Sequence, residues 1–174
     1  MNNFAHIKPI AQYKKVGYYS LCINDNEDSL FEEFIKQHTK TNEKKLDHIL
    51  NWLKVIGNRY GAQTHHFRPE GETADTSALP PKGADRKPQY TEYGKKKANN
   101  LRLYCLRANE HIVFLFSGDI KTTKKAQHCP NVKSHFKLAN QFTKAIDDAF
   151  IDRDIVWSDD YTQIECNEDF KIYF

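Results

Sequence analysis

Residues 101–125, LRLYCLRANEHIVFLFSGDIKTTKK, decide how the chain is read. Apolar residues run through the first seven positions together with Arg102, Tyr104 and Arg107. Ala108-Asn109-Glu110 is a turn, and residues 111–120 are the most hydrophobic stretch of the chain. Two short apolar runs joined by a brief polar turn predict a β-hairpin. The near-continuous apolarity of the second run predicts a central strand covered on both faces. A basic turn, Lys121-Thr122-Thr123-Lys124-Lys125, leaves that buried strand, so a rigid element places its cations. Arg102 and Arg107 are an odd number of positions apart, which puts them on opposite faces of an unbulged strand.

Working outward, Pro130-Asn131 opens a helix over 132–150 that turns Phe136, Ala139, Phe142 and Ile146 to the core. Residues 155–174 hold β-formers suited to an edge strand. Upstream, residues 4–23 predict a hairpin turning at Gln12-Tyr13-Lys14-Lys15, and Asn24 to Asp28 end it and offer N-cap side chains. Helical spacing of Leu30, Phe31, Phe34 and Ile35, then of Leu46, Ile49, Leu50, Leu53 and Ile56, predicts helices over 29–39 and 42–60, the second closed by Gly61. Residues 62–68 are strand-compatible. Residues 69–100 carry all but two of the six prolines and no usable periodicity, which predicts a long mobile loop. The fold class is α+β: an N-terminal β-hairpin extension (1–28), then a core (29–150) of helical hairpin, small mainly antiparallel sheet and C-terminal helix, then an acidic tail (151–174).

At 174 residues the chain suits one domain with appendages. Its 9 Tyr and 11 Phe exclude wholesale disorder. No apolar run approaches the roughly 20 residues that cross a bilayer, and the N-terminal MNNFAHIKPIAQYKK lacks the apolar centre of a signal peptide. A soluble cytoplasmic protein is the expectation. Cys22, Cys105, Cys129 and Cys166 are scattered and read as free structural thiols rather than zinc ligands or disulfides. The formal charge of +3 conceals a segregation. Residues 147–174 hold nine acids against two bases, leaving 24 bases and 14 acids, net +10, in residues 1–146. So basic a body suits a polyanionic partner, and the acidic tail offers a cover for the same surface. No Walker loop, HExxH, GxSxG or Rossmann fingerprint supports nucleotide, zinc or acyl-enzyme chemistry, so no cofactor and no metal are expected.

The order helix, helix, strand, loop, strand, strand, basic turn, helix resembles the RelE/ParE toxin superfamily, especially its HigB-like branch, over about residues 30–150. Arg102 and Tyr104 match the family's Arg/Tyr-bearing strand, Gly118 the end of its apolar strand, Lys121-Thr122-Thr123-Lys124 its basic turn, and Phe67-Arg68 its first strand. The loop 69–100, the N-terminal hairpin and the acidic tail are additions to that pattern. The resemblance implies the toxin of a type II toxin–antitoxin system. That means a metal-independent endoribonuclease, a hydrolase that inhibits translation by cutting mRNA on the ribosome, or a non-catalytic relative such as a gyrase inhibitor. It also implies a helix-turn-helix antitoxin as partner, with no membrane and no small-molecule cofactor.

Metal-free RNA cleavage needs a base for the 2′-hydroxyl proton, an acid for the 5′-oxygen and cations for the phosphorane charge. His65 or His66, Arg68, Arg102 and Lys121 are the candidate catalytic residues. Arg107, Lys124, Lys125, Lys95, Lys96, Lys97, Tyr104 and His128 are the candidate RNA contacts. Each has a plainer reading. Adjacent histidines on a strand face opposite ways, so at most one joins a site. Of Arg102 and Arg107 one is structural, and Arg102 matches the family position. Lys95-Lys96-Lys97 reads more readily as a solvated run, with nonspecific phosphate contact the sharper reading, and Tyr104 more readily as core than as a stacking platform.

Overall fold

The computed structural model describes residues 3–70 and 75–174. Phe4–Gln12 (β1) and Gly17–Ile23 (β2) form the expected antiparallel hairpin, closed by the Tyr13 N–H on the Val16 carbonyl (2.9 Å). Leu30–Thr41 (α1) follows. Its N-cap is Ser29 rather than the Asn/Asp cluster before it, because Glu32 completes a capping box. The Ser29 hydroxyl accepts from the Glu32 N–H (3.2 Å), and Glu32 Oε2 accepts from the Ser29 N–H (2.6 Å). Glu43–Val55 (α2) widens into a π-type turn over Ile56–Tyr60 and stops at Gly61, whose φ of 75° disfavours any side chain.

The next segments depart from expectation. Residues 62–68 are not one strand: Thr64–His66 is a 3-10 turn, and only Arg68–Pro69 (β3) is extended. The backbone of Ala62 is held by Glu110 and Arg107 of the later hairpin, which leaves the chain a turn to make before Phe67 reaches the core. Residues 69–100 are not a structureless loop. They contain Thr76–Leu79 (β4) and a mini-hairpin, Thr91–Glu92 (β5) with Lys95–Lys96 (β6). TSAL has one large apolar residue and no period, so β4 owes its strand form to its neighbours rather than to its own sequence.

Leu103–Asn109 (β7) and Ile112–Leu115 (β8) make the expected hairpin. Its ladder runs on irregularly from Phe116 N–H on Tyr104 O (2.9 Å) to Lys121 N–H on Asn100 O (2.8 Å). Lys133–Ile151 (α3), Ile155–Trp157 (β9), Ile164–Cys166 (β10) and Ile172–Tyr173 (β11) complete the chain.

Seven strands form one mainly antiparallel sheet in the order β11-β1-β2-β8-β7-β4-β3, with β2 and β8 the one parallel pair. β8 lies at the centre and is buried throughout, as its apolarity requires. The N-terminal hairpin is therefore part of the sheet rather than an extension. The Ser20 hydroxyl donates to the Leu115 carbonyl 95 residues away (2.6 Å), a partnership no local pattern reveals.

Alternation along the strands fills two cores. Leu103, Cys105, Val113 and Leu115 meet Phe34, Ile49, Leu53 and Ile56 of the helical hairpin. Tyr104, Leu106 and Phe114 meet Phe136, Phe142 and Ile146 of α3 on the other face. Each such buried side chain contributes about 1.5–3 kcal/mol. In the tail, β9 and β10 form a separate ribbon with Trp157 stacked on Phe150 (4.2 Å), and β11 adds an edge strand beside β1. All four cysteines are free; Cys22, Cys105 and Cys129 are buried and Cys166 is exposed. Among the described residues no helix is long and apolar enough to cross a membrane.

Candidate anion-binding site

At the β3 end of the sheet, four segments converge on a concavity of ≈ 300 Å³. Arg68 comes from β3, with Glu70 just after it, Lys82 from the segment beyond β4, Arg102 from just before β7, and Lys121, Thr123 and Lys124 from the basic turn. Among the described residues, five cations thus face one carboxylate.

Arg102 is placed by its backbone. The Arg102 N–H donates to Asp119 O (3.0 Å), and Gly118 lies directly on the Arg102 peptide. A Cβ at Gly118 would fall 1.7 Å from the Arg102 carbonyl oxygen, so only glycine permits this approach. The Lys121 N–H on Asn100 then fixes where the basic turn leaves. The Arg102 guanidinium is 8% exposed; its Nη1 donates to Asn99 O (2.6 Å) and Leu101 O (3.2 Å), while the buried Nε has no partner. Burial, then the like charge of Arg68, lowers its pKa to about 10, with Glu70 opposing. Arg68 Nε donates to Pro80 O (3.1 Å), and burial lowers its pKa as well.

Glu70 and Lys121 form a nearly sealed ion pair (3.2 Å). The Tyr104 ring packs on Phe136 in the core (5.6 Å). Its hydroxyl is buried without a partner, and burial followed by the Glu70 charge pushes its pKa up. Among the described residues two buried donors, Arg102 Nε and Tyr104 Oη, therefore lack acceptors near an excess of positive charge. Such groups are normally satisfied, and an oxyanion is the ligand that would satisfy them.

The structure thus brings Arg68, Arg102, Lys121 and Lys124 together and leaves the other candidates elsewhere. His65 and His66 lie in the 3-10 turn, outside this concavity. His66 stacks on Tyr60 (4.9 Å), and its Nδ1 accepts from Arg86 Nη2 (3.1 Å). Tyr104, fully buried, offers no stacking face to a base. Arg107 points to the opposite face, where it donates to Ala62 O and lines a separate groove with Thr64 and Ser77. Lys125 and His128 are exposed beyond the concavity, while Lys95 and Lys96 sit on β6 and Lys97 directly follows it. Lys96 pairs with Asp85 (3.4 Å) and Lys97 with Glu92 (3.1 Å). The acidic tail ends on β11, the sheet edge opposite Arg68, and does not cover the site. Sequence reasoning missed Glu70 and Lys82. Glu70 was within reach: two positions after Arg68 in extended chain, it shares that residue's face.

Burial, then the charges of His65 and Arg86, lowers the His66 pKa to about 4, against 6.5 ordinarily. A base depressed in the folded state stabilises fully above its unfolded pKa and loses that contribution as pH falls toward its folded one. Urea unfolding should therefore show stability falling from pH 6.5 to about 4. His66→Gln should flatten part of that fall, with His48, also lowered by burial, accounting for a further part.

No family model, no curated protein and no solved structure matches the chain.

Proposed function

We propose that the protein is a type II toxin of RelE/ParE kind, a metal-independent endoribonuclease that cuts mRNA on the ribosome in the cytoplasm. The observation that carries this reading is the concavity itself, where, among the described residues, Arg68, Arg102, Lys82, Lys121 and Lys124 surround one carboxylate and two buried donors nearby have no partners. The element order of two helices, four antiparallel sheet strands (β3, β4, β7 and β8, with the β5–β6 mini-hairpin between them) and a helix also supports it.

In this reading Arg68 and Arg102 grip the scissile phosphate and Lys82 and Lys124 hold its neighbours. Proton transfer falls to the Glu70–Lys121 pair rather than to His65 or His66. Glu70 takes the 2′-hydroxyl proton as that oxygen bonds to phosphorus. The bond to the 5′-oxygen breaks, and Lys121 protonates the leaving oxygen. The products are a 2′,3′-cyclic phosphate and a 5′-hydroxyl. Proton return from Glu70 to Lys121 across their 3.2 Å contact resets the pair. Arg102 and the lysines face the extra negative charge of the phosphorane.

Purified protein added to a translating extract should cut mRNA to ends of that chemistry, and Glu70→Gln should lower the rate about 10²-fold or more. Absence of cleavage together with unimpaired growth on expression would sink the enzymatic reading and leave the non-catalytic one. A small helix-turn-helix antitoxin is the partner this function requires, and it should co-purify when its neighbouring gene is expressed alongside.

A further inference from the structure

We infer that the site continues into a track for single-stranded RNA, ending at Tyr93 as a base-stacking platform. The inference rests on the anion pocket as an RNA site and extends it. Three concavities are linked by shared lining residues: the pocket shares Arg68 with a cleft of only ≈ 20 Å³, also lined by Arg86 and Lys97, across whose surface rather than through which a strand would pass. That cleft shares Tyr90 with a groove of ≈ 590 Å³ between the α1–α2 junction and the β5–β6 hairpin. Lys40, Lys44 and Lys45 line one wall of the groove and Tyr93 the other.

Tyr93 is 96% exposed, the most exposed large hydrophobic residue among those described. It occupies the first position of a two-residue turn at φ 52°, where Gly, Asn or Asp fits with least strain. A tyrosine there gives up about 1–2 kcal/mol of backbone energy and recovers nothing by packing. The hairpin is nonetheless held in place: the Lys97 N–H bonds Tyr90 O (3.0 Å), Tyr90 is buried, and Lys97 pairs with Glu92. Lys95, two positions after Tyr93, has no ion pair among the described residues, and the acids of the groove are Glu43 and Glu92, the latter already paired. A rigidly mounted, unpacked aromatic flanked by lysines, one concavity away from phosphate-binding arginines, matches what single strands use: cations for the backbone and a ring face for a base. A duplex, whose bases are already stacked, has no use for the ring.

The test is fluorescence anisotropy with 2′-fluoro RNA, which lacks the attacking hydroxyl, as a 3-mer, a 12-mer and a 12-base-pair duplex. Tyr93→Ala should weaken the single-stranded 12-mer about 5- to 100-fold, leave the 3-mer and the duplex unchanged, and be rescued by Tyr93→Phe. Arg102→Ala should weaken 3-mer and 12-mer alike. Unchanged 12-mer binding by Tyr93→Ala, with Arg102 still required, overturns the track and spares the pocket. Equal losses on duplex and single strand overturn stacking. Failure of the wild type to bind any of these RNAs overturns both readings.

Discussion

Arg102→Met should yield a protein that is more stable than the parent and, on the proposed function, cuts RNA about 10²- to 10³-fold more slowly. The two effects share one cause. Arg102 is held at a pKa of about 10 rather than 12.5 because its charge is buried beside Arg68, which costs on the order of 3 kcal/mol in the free protein. That penalty is full at every pH below about 10. Methionine has a similar reach and no charge, and its flexible chain fills irregular space. Losing the Nη1 bonds to Asn99 O and Leu101 O returns about 1 kcal/mol each, so the net gain should be near 1 kcal/mol. Urea unfolding without ligand should show it as a higher midpoint. Adding sulfate should reverse the ranking, since an anion at 100 times its Kd stabilises a binding protein by about 2.7 kcal/mol and the variant has lost a principal ligand. Arg102→Lys should keep the instability and lose the two-pronged grip. A destabilised Arg102→Met that cuts RNA at the parent rate would contradict this account of the pocket.

Gly118→Ala should be the most damaging alanine substitution among the described glycines. The added Cβ would lie 1.7 Å from the Arg102 carbonyl oxygen and 2.8 Å from its carbonyl carbon, both backbone atoms that cannot rotate away. The His38 ring nitrogen on the Gly118 carbonyl (3.2 Å) and the bonds to Asp119 and Ser117 pin the segment on both sides. Relief therefore requires the two strands to part, at about 3 kcal/mol or more. In whatever fraction still folds, parting them also moves Lys121 away from Arg102, so anion affinity should fall further than stability alone explains. Gly94→Ala, with nothing within 4 Å, is the control and should lose only about 1 kcal/mol to its positive φ. An unfolding midpoint for Gly118→Ala equal to the parent's would refute the close approach.

Elements whose signal is local were legible in the sequence. The hairpin after Leu101, both helices of the helical hairpin and α3 follow from apolar spacing over a few turns, and β8 was identified as central from composition alone. β4 was not legible, because TSAL becomes a strand only between β3 and β7, partners it cannot announce. The same holds for the site. Arg68, Arg102 and Lys121 could be nominated by charge and by family pattern, but that they share one concavity depends on the β3-β4-β7 ladder. The histidine pair drew attention by residue type, yet the turn at Thr64–His66 carries it to an aromatic cluster with Trp52 and Tyr60. Tyr104 shows the reverse case: it was nominated as an RNA contact, and its ring is core, as the plainer reading had it.

The parallel pairing of β2 with β8 has a consequence for the order of assembly. Gly17 meets Ile112 and Tyr19 meets Phe114, so the N-terminal hairpin leaves the ribosome long before its central partner exists. At about 5–20 residues per second, several seconds pass with β2, whose residues are almost all core in the finished sheet, lacking a neighbour on one side. Closing so long a loop places the protein among slow-folding topologies. Lys121 and Lys124 are synthesised later still, which makes the anion pocket one of the last parts of the molecule to form. On the proposed function, the protein is thereby inert toward RNA for most of its own synthesis, and the interval is set by topology rather than by any inhibitor.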